Sequence, residues 1–411
     1  MQKVKGVIPL FLLIMAVLIF SIPGVVLAQK PELDVRSAIL MAADSGQILY
    51  TKNPEQKLPV GSINKIMTLL ITLEQLEQGE LKRETTITVS RYAESTGGSQ
   101  IFLASGTQLT VEELLQAIAI ASANDATVAL AEGISDSEDE FVSLMNEKAK
   151  ELDMDNTQFL NSTGLPAPDG QEQYTTVEDI TLMSRALIKN FPEVLDLTST
   201  WVEYLDVEGR EVMLANTNKL INNYTGLDGL RTGYTEKAGY CLAATAVRDN
   251  LRLISVVLNA DSKEGRRQAT RKLLDYGFNR YENKILIEKD KEIQNIRVPR
   301  GKQEFTTART DSELSLLIKK GESPRFTRKI RLKEDQQAPI EKGDTLAFWE
   351  VYQLEDEQES KGKKIGQVKL VATEDIDRAG LVISLWRRFQ NWIKQLANQN
   401  KQAFRKHIPA L

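Results

Sequence analysis

The sequence predicts an α+β protein. A large domain with helices packed on an antiparallel sheet comes first, then a small all-β domain and an amphipathic C-terminal helix. Three observations carry this. Between about Leu33 and Tyr281, segments of alternating hydrophobicity lie at both ends and helix-period segments lie between them. Beyond Ile285 only short alternating segments recur, separated by turn residues. After Gly380 an apolar helical stripe faces a cationic one.

Residues 1–28 read as an export signal. Lys3 and Lys5 precede an apolar run from Val7 to Phe20, and Val26-Leu27-Ala28 offers what a signal peptidase reads. An uncleaved anchor competes, because residues 7–28 are nearly long enough to span a bilayer. Residues 37–41 and 47–50 form a hairpin around Asp44-Ser45-Gly46. Residues 62–78 form a helix with Ile63, Ile66, Met67, Leu70, Leu73 and Leu76 inward and Gly79 as its stop. Two more helices, 111–121 and 126–132, are broken at residues 122–125. Another spans 177–189 and ends before Phe191-Pro192. Strands 239–247 and 251–260 are joined by Asp249-Asn250, a strong two-residue turn. A helix over 263–276 closes this domain, assigned to residues 29–281.

The second domain, 285–377, is read from strands at 296–298, 305–308, 314–318, 346–352 and 365–371, with the charged run 355–364 as a solvated hairpin loop. From Gly380 to Leu411 there are six Lys or Arg residues and no acid; the whole chain carries −5, so the rest carries −11 (−5 minus +6). Leu381, Leu385, Phe389, Trp392, Ile393 and Leu396 share one helical face, opposite Arg387, Arg388, Asn391, Lys394 and Gln395. Such a helix, over 380–397, is expected to lie in a membrane interface rather than on its own domain. Anionic lipid adds about 1 kcal/mol per basic residue near the surface. The two ends together predict an exported protein at the outer face of the bacterial cytoplasmic membrane.

Composition narrows the chemistry. A hydrophobic fraction of 42% and a charged fraction of 27% are ordinary for a folded chain. The one cysteine, Cys241, rules out an internal disulfide or a Cys-rich metal site, and its apolar neighbours make it the filler of a buried strand. The one histidine, His407, sits almost at the C-terminus, so a Ser-His-Asp triad is not expected and serine chemistry here needs another base. No nucleic-acid partner is expected.

Three motifs supply that chemistry. Ser62 and Lys65 are three apart at a helix start, on one face, so hydroxyl and amine come close. The helix dipole and burial both favour the neutral amine a general base needs. Ser122-Ala123-Asn124 lies in a break between helices, where an amide can bond the lysine and a substrate carbonyl and a hydroxyl can pass a proton. Helix capping is the plain alternative. Arg231-Thr232-Gly233, before the 239–247 strand, suits an extended peptide ending in a carboxylate: a cation, a hydroxyl and a bare glycine that lets the backbone approach. The plain alternative is a turn with a surface arginine. The motifs lie 60 and 109 residues apart, and it is their conjunction that argues for catalysis.

The set is similar to the S-x-x-K, S-x-N, K-T-G set of penicillin-binding proteins and class A β-lactamases. The wider context resembles one family, the low-molecular-mass penicillin-binding proteins that act as D-alanyl-D-alanine carboxypeptidases. The resemblance runs through residues 59–68, Gly97-Gly98-Ser99, residues 120–126, Gln173-Tyr174-Thr175-Thr176 with Asp179, residues 228–235 and residues 238–241. In the second domain it includes Ala338-Pro339-Ile340 with Gly343-Asp344. It implies a penicillin-binding transpeptidase/β-lactamase-like catalytic domain and no metal or organic cofactor. It also implies that Ser62 attacks the carbonyl between the two terminal D-alanines of a peptidoglycan stem peptide, with Lys65 taking the proton. Ser122 and Lys65 aid the leaving group, Asn124 positions Lys65 and the peptide, and the N–H groups of Ser62 and Tyr234 form the oxyanion hole. Arg231 and Thr232, beside Gly233, hold the carboxylate. β-Lactams are the implied covalent inhibitors. Arg231 departs from the family's usual lysine; it keeps the charge but has another shape and does not deprotonate.

A β-lactamase is disfavoured, because no glutamate between Ser122 and Arg231 has an asparagine four residues on. A catalytically weak peptidoglycan-binding or regulatory protein on the same fold is the other alternative, and some transfer to an amine acceptor stays open.

Overall fold

The computed structural model describes residues 30–393, apart from 168–170, 172, 335, 355–361, 384, 388 and 391. The expected export signal, most of the charged run 355–364, and Arg388, Asn391, Lys394, Gln395 and Leu396 lie outside the described residues. The chain divides into two compact units, Met1–Tyr281 and Glu282–Leu411.

In the first unit, strands β1 (Ser37–Ala42) and β2 (Ile48–Lys52) form the expected hairpin. Two small pairs follow, β3 (Thr86–Thr88) with β4 (Gln108–Thr110), and β5 (Val202–Val207) with β6 (Arg210–Ala215). Then come β7 (Leu227–Thr235), β8 (Gly239–Arg248) and β9 (Leu251–Ala260). The main sheet is antiparallel in the order β2-β1-β9-β8-β7, so the unit's two ends meet at its centre. That centre is buried on both faces, which explains why β8 and β9 read as nearly continuous apolar runs. The Lys263–Arg280 helix packs closely: a Cβ at Gly277 would lie 2.5 Å from Leu253 Cδ1.

The helix expected from residue 62 begins differently. Gly61–Asn64 is one 3₁₀ turn, and the α-helix runs from Lys65 to Gln78, ending at Gly79 with φ 77°. The helix expected over 111–121 is α only for Val111–Gln116. Ala117–Ala121 is a π-turn that delivers Ser122 in the left-handed region, φ 62°. The chain re-enters a helix over Asn124–Ser135. The Glu138–Glu151 helix, capped by Ser137, had no counterpart in the sequence reading. Arg231-Thr232-Gly233 precedes the expected 239–247 strand, here β8, and itself lies within a strand, β7, at the edge of the sheet.

The second unit is all β apart from its tail. β10 (Tyr281–Ile287), which starts at the boundary, pairs with β13 (Leu314–Lys319). β11 (Glu292–Arg297), β12 (Phe305–Thr310), β14 (Arg325–Leu332), β15 (Thr345–Leu354) and β16 (Lys363–Ala372) form a sheet in the order β11-β12-β16-β15-β14. Its core gathers Ile296, Val298, Ala308, Leu346 and Leu370. Edge strand β14 escaped the sequence reading because Arg325, Arg328, Lys329 and Arg331 mask its alternation. The described residues between 381 and 393 are helical. Leu381, Leu385, Phe389, Trp392 and Ile393 are exposed there, while Arg387 donates to the carbonyls of Gly301 (2.7 Å) and Lys302 (2.9 Å). No helix among the described residues is long and apolar enough to cross a membrane.

Candidate active site

Three backbone features bring the motifs together. The 3₁₀ turn presents Ser62, the left-handed Ser122 turns a helix end inward, and edge strand β7 passes beside both. Side chains do not fit between these segments. A Cβ on Gly233 would lie 2.0 Å from Val60 O, and one on Gly164 would lie 2.0 Å from Gly61 O. Gly164 also has φ +85°, so both space and backbone demand glycine there.

Lys65 is the hub. It is fully buried, and Nζ lies within hydrogen-bond distance of Ser62 Oγ (3.1 Å), Asn124 Oδ1 (2.5 Å) and the Thr163 carbonyl (3.0 Å). As a neutral amine it donates to the Asn124 and Thr163 oxygens and turns its lone pair to the Ser62 hydroxyl, and the three contacts fix its position. Burial first, and the Arg231 charge second, hold its pKa well below the usual lysine range, while Asp125 and Glu138 act in the opposite sense. Asn124 is anchored from its other end, Nδ2 donating to Gly97 O at 2.6 Å and its backbone N–H to Ser99 O at 2.7 Å. The Gly97-Gly98-Ser99 segment is therefore a wall of the site. The Ser122 hydroxyl is buried and makes no hydrogen bond to the described residues, so both its proton and its lone pairs remain available.

The motifs open on a cavity of about 680 Å³, within the range that encloses a drug-sized ligand. Ser62, Ser122, Asn124, Thr232, Gly233 and Tyr234 line it. Lys65 and Arg231 lie behind this wall. Arg231 is 2% exposed, and its Nη2 donates to the Ile118 carbonyl of the π-turn at 2.5 Å. Burial pushes its pKa down to about 10, and its Nε has no partner among the described residues.

Several functional positions carry no sequence signal. Arg266 lines the cavity with most of its surface buried; Nη1 donates to Gly233 O (3.3 Å) and Cys241 O (3.1 Å), and Nε is unpaired among the described residues. Burial lowers its pKa. Lys219, Lys263 and Arg267 also line the cavity, and among the described residues no carboxylate does, so the described lining is positive. Thr163 contributes only a backbone carbonyl, which no residue type announces. Among the described residues no cluster of His, Cys, Asp or Glu is fit to hold a metal ion.

Comparison with known proteins agrees with this geometry. A family model described as D-alanyl-D-alanine carboxypeptidase matches residues 25–262, and one described as the C-terminal domain of penicillin-binding protein 5 matches residues 281–378. The chain is 39% identical over 363 residues to D-alanyl-D-alanine carboxypeptidase DacF of Bacillus subtilis strain 168, covering 88% of this chain and 90% of that protein. Among solved structures it resembles a peptidoglycan synthesis regulatory factor (PBP3) from Streptococcus pneumoniae, with a TM-score of 0.69, 27% identity, and coverage of 84% and 100%. It also resembles penicillin-binding protein D2 from Listeria monocytogenes in its cefotaxime-bound form, with a TM-score of 0.56, 33% identity, and coverage of 61% and 99%.

Proposed function

The chain belongs to the D-alanyl-D-alanine carboxypeptidase family, a serine-type peptidase acting in cell-wall metabolism, and from that premise we propose how its residues divide the reaction. Ser62 is the nucleophile and Lys65 its base. The observation that carries this is the buried Lys65 amine, 3.1 Å from Ser62 Oγ, with its pKa held well below the usual lysine range by burial and then by Arg231. Ser62 Oγ attacks the carbonyl carbon of the penultimate D-alanine as its proton passes to Lys65 Nζ. The peptide C–N bond then breaks, and the leaving amine takes a proton relayed from Lys65 through the free Ser122 hydroxyl. Water, deprotonated by Lys65, attacks the resulting ester; Oγ leaves and recovers the proton. The backbone N–H groups of Ser62 and Tyr234 are assigned to the oxyanion. The close approach of Gly61 to Tyr234 N supports this pairing: a Cβ there would lie 3.0 Å away.

The substrate is an extended peptide ending in D-Ala-D-Ala, laid along the open edge of β7 beside Gly233. Its terminal carboxylate meets Thr232 and Arg266 in the cavity. Arg231, behind the wall and engaged by Ile118, acts on that carboxylate through space only. β-Lactams enter by the same route and acylate Ser62.

The remaining assignments concern placement. Residues 1–28 direct export, residues 29–281 are the catalytic domain, and residues 285–377 are a β domain that spaces the site from a surface. The helix over 380–397 rests on the outer face of the cytoplasmic membrane. Its exposed Leu381, Leu385, Phe389, Trp392 and Ile393 support a lipid contact over a protein one. Deleting residues 380–411 releases the protein into the soluble fraction; retention after that deletion and signal cleavage refutes the anchor.

Intact mass after incubation with benzylpenicillin, alongside D-alanine release from diacetyl-Lys-D-Ala-D-Ala, tests the catalytic assignment. A long-lived single adduct that disappears in Ser62→Ala supports it. Rapid drug turnover points to a β-lactamase-like enzyme, and folded protein with neither activity points to a binding role.

A further inference from the structure

Glu138 opens the Glu138–Glu151 helix, outside all three motifs, and is almost fully buried. Its Oε1 accepts from the Ser162 backbone N–H at 2.9 Å and from Ser162 Oγ at 2.5 Å. Its Oε2 accepts from Tyr92 OH at 2.7 Å. Thr68, one turn along the helix from Lys65, donates to Ser162 O at 3.3 Å. Ser162 is thus held from two sides, and the next carbonyl in the chain, Thr163 O, accepts from Lys65 Nζ.

A buried carboxylate is costly unless its lone pairs are filled. Here three donors and the N-terminal end of a 14-residue helix fill them. The carboxyl group so held lies close enough to act on Lys65. We propose that Glu138 is a positioning residue for the catalytic amine: it aims the Thr163 carbonyl at Lys65 Nζ through Ser162 and offsets part of the Arg231 charge. This rests on Lys65 being the base.

The charged groups acting on Lys65 are Arg231 from β7, Asp125 from the Asn124–Ser135 helix and Glu138 itself. Around Tyr92, and so around the Glu138 carboxylate it bonds, the further acids are Glu132 and Asp139. Arg231 favours the neutral amine, whereas both Asp125 and Glu138 favour the ammonium. Losing Glu138 alone therefore tilts Lys65 further toward the neutral form.

Glu138→Gln keeps the shape and the acceptor for Ser162 but removes the charge; Glu138→Ala removes both. The experiment combines titration of Lys65 by NMR in full-length protein labelled with 13Cε-lysine with kcat and KM for D-alanine release across pH. In Glu138→Gln the Lys65 midpoint and the acid limb of the rate profile both move to lower pH. In Glu138→Ala kcat falls on the order of 10²-fold with KM nearly unchanged, the scale of an aimed group losing its place. Folded variants that reproduce the wild-type titration and kcat overturn the proposal. If Glu138→Ala fails to fold, the Glu138→Gln titration alone decides. A wild-type protein that releases no D-alanine refutes Lys65 as base, and the NMR shift still reads Glu138 independently.

Discussion

Replacing Arg231 with methionine should leave the protein at least as stable while slowing its chemistry. The side chain is 2% exposed, no carboxylate bonds to it among the described residues, and its hydrogen bond goes to one carbonyl, Ile118 O. Losing a hydrogen bond from a charged donor costs about 1.5–3 kcal/mol. Burying an ion costs several kcal/mol, and methionine fills similar space without that cost. The difference favours Arg231→Met by about 1–2 kcal/mol. At roughly 2–4 °C per kcal/mol for a unit of this size, thermal unfolding should shift upward by a few degrees. Activity moves the other way. Arg231 is the second cause of the lowered Lys65 pKa, so its loss raises that pKa. The rate needs neutral Lys65, which exists above its pKa and disappears as pH falls through it. The acid limb of the profile therefore moves to higher pH, and acylation by benzylpenicillin slows most at the acid end. Stopped acylation followed by intact mass, with calorimetry on the same samples, measures both. A variant destabilised by more than about 3 kcal/mol, or a limb that stays in place, refutes the reasoning.

Other expectations follow from the same geometry. Asn124→Ala deprives Lys65 of its 2.5 Å acceptor and frees Gly97 O, so kcat should fall about 10²–10³-fold, the scale of losing one preorganised polar contact, with a smaller change in KM. Gly164→Ala places a Cβ 2.0 Å from Gly61 O at φ +85°; steady-state turnover should collapse and chemical denaturation should show a loss exceeding about 1 kcal/mol. Lys65 has a folded-state pKa below its ordinary value near 10.5, so between those two values the unfolded chain holds a proton that the native one lacks. Wild-type stability should accordingly rise with pH through that window and be flat below it. Lys65→Met should remove this contribution to the slope, which denaturant titrations at several pH values would show.

Local chemistry made much of this protein legible before any folding. Gly79 ends its helix because a left-handed residue without a Cβ closes a helix cheaply. Apolar periodicity located the hairpin of β1 and β2, the strands β8 and β9 and most of the long helices, because burial on one face must repeat with the backbone's own period. The three motifs were readable because a serine, a lysine, an amide and a carboxylate-binding strand are required side chains, and the single His407 left no other base. Strand β14 and the Glu138–Glu151 helix were not readable: charged, half-exposed segments carry weak periodicity, and their pairing is decided by neighbours distant in sequence.

Only the tertiary structure decided how the charges at the site share their work. Sequence placed Arg231 beside Thr232 on one strand, but alternate residues on a strand point to opposite faces, and Arg231 went behind the cavity wall while Thr232 stayed on it. The cations that line the cavity come instead from Lys219 and from the first turn of the Lys263–Arg280 helix, 32 to 36 residues beyond Arg231 for Lys263, Arg266 and Arg267. The contacts that hold Lys65 span 3, 59 and 98 residues of sequence, and only the first of them was local enough to read. Residue type and short spacing specify which groups react. Their protonation and aim depend on burial and on backbone carbonyls brought in from far along the chain, which exist only once the chain has folded.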